Sequence, residues 1–329
     1  MADVTPVWVL TGFLGSGKTT LLARLMRHTG MSDTAVIVNE FGAVGLDHHL
    51  VAQSAETNVL LLESGCLCCA MGDDLAETLT ELFHKRSRGV IPEFRRLVIE
   101  TTGLADPGPI IGTLLADRVM TSRYRLTAVL TVVDGLLGLE QLGRHKEPAR
   151  QVALADRIII AKRDLISNAE EARLRQRLRA DNPRAEILAV ARGDVAPDQL
   201  LSAAAAPRGD EGGCDPSRHH AHDHAHRHSD GVETVFAPFP NVLRWSDYAG
   251  LVGYLQQRFG ASLWRTKGLL RIEDEPQPMA VQGVQHLFAP PTPIERAEEV
   301  RLGLVLIGEG LGEPEALIAA LAPYGASTA

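Results

Sequence analysis

The chain has 329 residues, of which 45% are hydrophobic and 22% are charged, and its formal net charge at pH 7 is -8. Its length suits two domains, and its composition is that of an ordinary globular protein. The negative charge argues against nucleic acid as the main partner.

The N-terminal apolar stretch, 7–14, is too short to span a bilayer, and no basic segment precedes it. We therefore expect a cytoplasmic protein with no membrane partner. Residues 7–10 are predicted to form the first strand. Residues 17–28 are predicted to form the first helix, because Leu21, Leu22 and Leu25 recur at the spacing of one helical face.

The segment Gly12-Phe13-Leu14-Gly15-Ser16-Gly17-Lys18-Thr19 joins these two elements and matches the P-loop spacing G-x-x-x-x-G-K-[ST]. Its glycines let backbone N–H groups converge on a polyphosphate at the helix N-terminus. Lys18 can then reach the β and γ phosphates, and the Thr19 hydroxyl can hold Mg²⁺. A Gly-rich turn before an ordinary helix is the alternative, but the strand-loop-helix context favours the P-loop. The predicted nucleotide-binding residues here are Gly12, Gly15, Ser16, Gly17, Lys18, Thr19 and Thr20.

Further short apolar runs predict strands that alternate with helices. They lie at 35–38, 59–62, 97–99, 126–133 and 157–161. This order predicts an α/β fold of the P-loop NTPase type, with a mainly parallel sheet covered on both faces. The helix after the third strand is predicted to begin with Asp73 as its cap.

The strand at 97–99 ends in Glu100-Thr101-Thr102-Gly103. An acidic residue at a strand tip beside a P-loop is the Walker-B arrangement, in which the carboxylate helps to hold Mg²⁺ directly or through water. The candidate catalytic residues are therefore Lys18, Thr19 and Glu100. A strand-terminal Glu that only caps or solvates its strand end is the alternative.

Lys162-x-Asp164 follows the strand at 157–161, where P-loop GTPases bind their base. An Asp carboxylate can accept from guanine N1–H and from the exocyclic amine, whereas adenine offers no such pair of donors. The motif therefore predicts that the protein prefers GTP to ATP. The alternative is an ordinary charged turn between strand and helix, which can have the same sequence. Ala161 stands where Asn is usual, which removes one neutral hydrogen bond at a cost of about 1 kcal/mol.

Cys66, Cys68 and Cys69 lie together in a Gly-led loop between a predicted strand and a predicted helix. Three thiolates in four residues favour Zn²⁺ or Cu⁺ over Mg²⁺ or Ca²⁺. Because only three soft ligands are local, the coordination shell suits an ion that must leave again. Buried small residues or a redox pair are the alternatives.

Residues 204–231 are predicted to form a flexible, histidine-rich linker after a first domain at 1–203. The tract is either a weak auxiliary metal site or a solvated linker that binds metal only incidentally. Its candidate ligands are His219, His220, His222, His224, His226 and His228.

Residues 232–329 are predicted to form a smaller α+β domain with an antiparallel sheet and helices on one face. The predicted strands lie at 232–237, 263–272, 278–287 and 301–307. The predicted helices lie at 245–258 and 314–321.

Taken together, these motifs resemble those of the CobW-type P-loop GTPases, metal-chaperone relatives of the urease and hydrogenase nickel-insertion GTPases, and most of all the YjiA-like branch. Glu40-Phe41-Gly42 and the stretch Leu263-Trp264-Arg265-Thr266-Lys267-Gly268 support the likeness. The resemblance covers nearly the whole chain, and Cys-x-Cys-Cys between two nucleotide motifs is its most specific mark.

The resemblance implies a GTPase domain followed by a CobW C-terminal domain, with phosphates at Gly12 to Thr19, Mg²⁺ at Thr19 and Glu100, and guanine at Lys162 and Asp164. It also implies that the cysteines hold a transferred metal, usually Zn²⁺ with Co²⁺ as an alternative, for delivery to a client metalloprotein. A homo-oligomer that forms with nucleotide is compatible with it. Val38 and Ala43 stand where some relatives carry acidic ligands, so further surface zinc sites are not expected. The rival functions are a metal-storage or buffering protein with secondary GTPase activity, and a P-loop ATPase or kinase without metal cargo.

Overall fold

The computed structural model describes residues 4–38, 59–63, 73–202, 226–227, 232–294 and 301–327. The chain divides into two compact units, Met1–Ala204 and Ala205–Ala329. In the part of the chain that is described, no helix is both long enough and apolar enough to cross a bilayer. The domain limits predicted at 203 and 231 stay a prediction.

The first unit is built on a seven-stranded sheet in which every strand pair is parallel. The spatial order of its strands is β3-β2-β4-β1-β5-β6-β7. This confirms the predicted parallel sheet. The strands are β1 Thr5–Thr11, β2 Thr34–Val38, β3 Val59–Glu63, β4 Arg96–Glu100, β5 Tyr124–Asp134, β6 Arg157–Ala161 and β7 Glu186–Ala189.

Strands β1, β2, β4, β5 and β6 are buried on both faces, which explains why they read as continuous apolar runs. In β6, Ile159 packs into one core with Leu22, while Ile158 and Ile160 pack into a second core with Leu174. Successive side chains of a strand point to opposite faces, so one run of isoleucines supplies both cores.

The helices of the first unit connect these strands. Helix α1 ends at Leu25, three residues before the predicted limit, because His28 accepts from Gly30 N and caps a short 3-10 turn. Asp73 is the first residue of α2 instead of its cap. The helices are α1 Lys18–Leu25, α2 Asp73–Ser87, α3 Gly108–Ala116, α4 Arg118–Arg123, α5 Gly138–Arg144, α6 Lys146–Leu154, α7 Asn168–Asp181 and α8 Pro197–Leu201.

The second unit is an eight-stranded sheet, antiparallel except where β10 pairs with β11. Its core joins alternate residues of the sheet, such as Leu304 and Leu306, to Leu251 and Leu317 of two helices, as expected for helices on one face. The strands are β8 His226–Arg227, β9 Val232–Pro238, β10 Val242–Leu243, β11 Leu263–Ile272, β12 Met279–Val284, β13 Leu287–Phe288, β14 Thr292–Pro293 and β15 Gly303–Glu309; the helices are α9 Trp245–Arg258 and α10 Pro314–Leu321.

Two predictions for the second unit were wrong in detail. The strand predicted at 278–287 is a hairpin, because Gln285 adopts a left-handed φ of 54° and turns the chain so that Val284 pairs with Leu287. The last strand begins at Gly303 instead of 301. In addition, His226 and Arg227 of the histidine tract pair with Thr234 and Glu233, so these two residues form a short strand.

Candidate functional site

The P-loop glycines adopt backbone conformations that other residues rarely reach. The φ angles of Gly12, Gly15 and Gly17 are 146°, 71° and 102°. A Cβ on Gly12 would lie 2.2 Å from Val132 O, so the loop can run this close to β5 only with glycine. Gly17 then leads directly into α1, which leaves the first N–H groups of that helix at the loop.

Two polar side chains of the P-loop are buried inside it. Lys18 Nζ donates to Gly12 O at 2.7 Å and to Phe13 O at 3.2 Å. Ser16 Oγ is buried and has no hydrogen-bond partner among the described residues. A buried ammonium and a buried hydroxyl beside the N-terminus of a helix fit a polyphosphate, which would neutralise the charge of Lys18 and supply an acceptor for Ser16.

Thr19 and Glu100 meet as predicted. Thr19 Oγ1 donates to Glu100 Oε1 at 2.9 Å, and Glu100 is only 3% exposed. The contact exists because β4 lies beside β1, where Glu100 is in register with Leu10. A hydroxyl and a carboxylate are the oxygen ligands that Mg²⁺ prefers, so this pair fits that ion.

Lys162 links the end of β6 to the P-loop. It has a left-handed φ of 55°, and its Nζ donates to Gly15 O at 2.8 Å and to Asp134 Oδ2 at 2.6 Å. Asp134 is 1% exposed, and its other oxygen accepts from Leu136 N and Leu137 N. The sequence analysis gave Asp134, which directly follows the strand predicted at 126–133, no role; its position at a strand tip is the only local signal in the sequence.

Asp164 lies at the same strand end. Its Oδ1 accepts from Arg192 N at 3.0 Å. Desolvation alone would raise the pKa of Asp164, but hydrogen bonds from its own backbone and from Arg192 outweigh it, so the pKa is lowered from 3.8. The group is therefore a carboxylate near neutral pH, which is the form that accepts from guanine.

Ala161 faces the P-loop with a methyl group where a polar side chain is usual. A Cβ on Gly17 would lie 3.7 Å from Ala161 Cβ, so the end of β6 lies beside the P-loop. The polar connection between this strand end and the P-loop comes from Lys162 instead.

The segment after β4 is held against the P-loop. Thr101 N donates to Leu10 O at 2.9 Å, and Thr101 Oγ1 donates to Thr11 Oγ1 at 2.8 Å. A Cβ on Gly103 would lie 2.8 Å from the backbone N of Leu14. The sequence placed Gly103 in the Glu-Thr-Thr-Gly motif but did not predict its contact with Leu14.

Several predicted metal ligands lie outside the described residues: Cys66, Cys68, Cys69, His219, His220, His222, His224 and His228. His226 is described only as part of β8. Across the described ranges, no three His, Cys, Asp or Glu side chains come together as a metal-binding group.

The strand that precedes the cysteine loop, β3, has a defined register in the sheet. Val38 at the end of β2 is in register with Glu63 on one side and with Glu100 on the other. Adjacent strands lie about 4.8 Å apart, so the backbones at Glu63 and Glu100 are about 10 Å apart at the carboxyl edge of the sheet. The chain thus enters the cysteine loop two strands away from the carboxylate that faces Thr19.

Two family models match the chain. Residues 6–189 match "CobW/HypB/UreG, nucleotide-binding domain", and residues 232–323 match "Cobalamin synthesis protein cobW C-terminal domain". The matches fall on the two units separately and confirm the resemblance drawn from the motifs.

Curated relatives and a solved structure agree with these models. Zinc chaperone YjiA of Escherichia coli is 35% identical over 86% of this chain and 87% of its own, and zinc chaperone CobW of Pseudomonas aeruginosa is 30% identical over 86% and 81%. The crystal structure of Zn(II)-bound YjiA GTPase from E. coli matches 97% of this chain and 98% of its own with a TM-score of 0.70 and 29% identity. The chain therefore belongs to the CobW/HypB/UreG family, with its nucleotide-binding domain followed by a CobW C-terminal domain.

Proposed function

We propose that the protein is a GTP-hydrolysing metallochaperone that binds Zn²⁺ through Cys66, Cys68 and Cys69 and delivers it to a client metalloprotein. The observation that carries this proposal is the register of Glu63, Val38 and Glu100 at one sheet edge. A loop that starts there can respond to the state of the nucleotide site, because both follow strands that end at the same edge of one sheet.

The nucleotide in this proposal is GTP. Lys162 is tied to the P-loop and to Asp134, and the Asp164 carboxylate lies two residues further along the chain. The names of two relatives support this choice. YjiA is called a GTPase in its Zn(II)-bound crystal structure. The zinc-regulated GTPase metalloprotein activator 1 of Schizosaccharomyces pombe is 32% identical over 56% of this chain and 46% of its own.

In the proposed reaction, water attacks the γ-phosphate of GTP and releases GDP and phosphate. Lys18 stabilises the charge that develops on the phosphate oxygens, while Thr19 and Glu100 hold Mg²⁺. When bound, Mg²⁺ supplies further neutralisation of that charge. We expect slow turnover by the protein alone, because no residue of the described part is assigned to orient the attacking water.

The cargo in this proposal is Zn²⁺, with Co²⁺ as the second candidate. Thiolates suit both ions, and the affinity order of divalent metals does not by itself select between them. A reducing cytoplasm would keep the three thiols available as ligands. The histidine tract then serves as a weak additional site.

The test is zinc binding by variants of the cysteines. In Cys66→Ser/Cys68→Ser we expect tight Zn²⁺ binding to be lost while GTP binding is kept, because the changed residues lie outside the P-loop. Cys214→Ser is the matched control, since it removes the remaining cysteine and should leave zinc affinity unchanged. Zn²⁺ affinity measured by competition with a chromophoric chelator distinguishes the two. Unchanged affinity in the double variant would overturn the proposal.

A deletion within the histidine tract separates the chaperone from the buffering protein. Removal of residues 219–225 leaves β8 in place. A chaperone keeps its single tight zinc site after this deletion and loses only weak ions. A protein in which the tract does the binding loses its tight site, and that result would contradict the assignment to the cysteines.

A further inference from the structure

Helix α6 touches the segment after β4 through one buried amide. Gln151 is fully buried, and its Nε2 donates to Gly103 O at 3.2 Å and to Ala105 O at 3.1 Å. An amide nitrogen carries two N–H groups, so both donors of this side chain bind carbonyls of the same segment. The backbone carbonyl of Gln151 accepts from Thr131 Oγ1 at 2.8 Å, and this bond attaches the helix to β5.

Apolar packing alone does not explain the buried amide. Gln151 Oε1 is buried and lacks a hydrogen-bond partner among the described residues. A buried acceptor without a partner is destabilising, so an apolar side chain of equal length would suit the interior better if packing were the only requirement. What Gln151 adds is a fixed position for residues 103–105.

The same helix region reaches the nucleotide site by two further contacts. Arg150 pairs with Asp106 at 3.1 Å, and His145 stacks on Phe13 of the P-loop with ring centroids 4.9 Å apart. Helix α6 therefore contacts segment 101–106, and His145 directly before the helix contacts the P-loop, on which the same segment packs at Gly103.

We propose that Gln151 is a positioning residue that holds segment 101–106 against the P-loop and thereby sets the preference for GTP over GDP. This inference rests on the proposed function. GTP differs from GDP by the γ-phosphate, which in P-loop GTPases orders segments beside the P-loop. A segment that is already held in place loses less conformational entropy when the γ-phosphate binds, so the hold favours GTP selectively.

The test compares Gln151→Met with Asn182→Ala. The methionine variant keeps side-chain length and removes both donors. Asn182 is the matched control, because its buried Nδ2 also donates to carbonyls of helix α6 and its C-terminal turn, namely Val152 O, Ala153 O and Ala155 O, and none of these bonds goes to segment 101–106. Both variants lose amide hydrogen bonds to backbone, and only one loses the hold on the segment.

Dissociation constants for GDP and for a non-hydrolysable GTP analogue, measured by calorimetry, give the readout. We expect Gln151→Met to weaken binding of the analogue about tenfold relative to GDP, and Asn182→Ala to leave the ratio at the wild-type value. Hydrogen exchange at Gly103 and Leu104 should be slowed by the analogue in the wild-type protein and much less in Gln151→Met.

Two results would overturn this role: a wild-type ratio in Gln151→Met, or an equal shift in Asn182→Ala. A wild-type protein that binds neither guanine nucleotide would instead overturn the proposed function itself. The two failures are therefore distinguishable in one set of titrations.

Discussion

Lys162 Nζ lies 2.6 Å from Asp134 Oδ2, so a residue at the end of β5 holds the lysine that follows β6. Asp134 is 1% exposed and the lysine side chain is 37% exposed, which places the pair at the border of the protein interior. The same Nζ donates to Gly15 O. The ion pair thus orients the lysine that connects the end of β6 to the P-loop.

Asp134→Asn should weaken guanine-nucleotide binding about tenfold, because the uncharged amide cannot form the ion pair with Lys162, which is then held less firmly. The amide oxygen can still accept from Leu136 N, so the fold should persist. Affinity for GDP measured by calorimetry tests this. Glu186→Gln is the control. It weakens an ion pair with Arg157 where β6 and β7 begin, at the amino ends of the strands and away from the P-loop. Equal losses in both variants would contradict the role given to Asp134.

Glu100→Gln should reduce Mg²⁺-dependent GTP hydrolysis by about 100-fold or more while magnesium-free nucleotide binding stays within a few fold. The amide can still accept from Thr19 Oγ1, so the 2.9 Å contact survives and only the negative charge is lost. Initial rates measured across a range of Mg²⁺ concentrations check this. A variant with wild-type rates at every Mg²⁺ concentration would exclude Glu100 from the magnesium site.

Gly103→Ala should destabilise the protein by about 1–3 kcal/mol, because the new Cβ would lie 2.8 Å from backbone atoms of Leu14 and one of the two segments must shift. Gly143→Ala is the matched control. Its Cβ would have no described atom within 4 Å, and alanine favours a helix, so it should stabilise by about 0.5–1 kcal/mol. Urea unfolding of both variants gives the comparison, and a loss of the same size in each would refute the close contact.

Alkaline pH should weaken the first unit through Tyr124. Burial raises the pKa of Tyr124 from 10.0 to about 12, although Arg86 and Arg123 oppose the shift, and its hydroxyl donates to Leu79 O at 2.9 Å. A raised pKa in the folded state means that the stabilisation is complete below pH 10 and is lost as the pH rises towards 12. The free energy of unfolding should therefore fall across that window, and less steeply in Tyr124→Phe. Parallel slopes for the two proteins would contradict the buried hydroxyl.

Elements with strong local signals were predicted with the bounds that the structure has. Strand β6 is a continuous apolar run that ends in charged residues, and α10 begins with Pro314 at a position that suits proline. The hairpin at Gln285 was missed because neither turn residue is Gly, Asn or Asp, the residues that usually mark such a turn.

In the candidate site, too, some contacts could be predicted from the sequence and others could not. The P-loop and the pairing of Thr19 with Glu100 could be predicted, because they follow from motif spacing and from parallel strands that end at one edge. The contacts of Asp134 and Gln151 could not, because each depends on which strand or helix lies beside it in space. Spatial order in the first sheet runs β4-β1-β5-β6, and no local pattern in the sequence records that order.

The most direct measurement of the central claim is the dissociation constant of Zn²⁺ in the presence of a GTP analogue and in the presence of GDP, by chelator competition on the full chain. If hydrolysis times the release of metal, the two constants must differ, and by linkage zinc must change the GTP-to-GDP preference by the same factor. We predict a difference of about tenfold or more that disappears in Cys66→Ser/Cys68→Ser. Equal constants in the two nucleotide states of the wild-type protein would contradict the account.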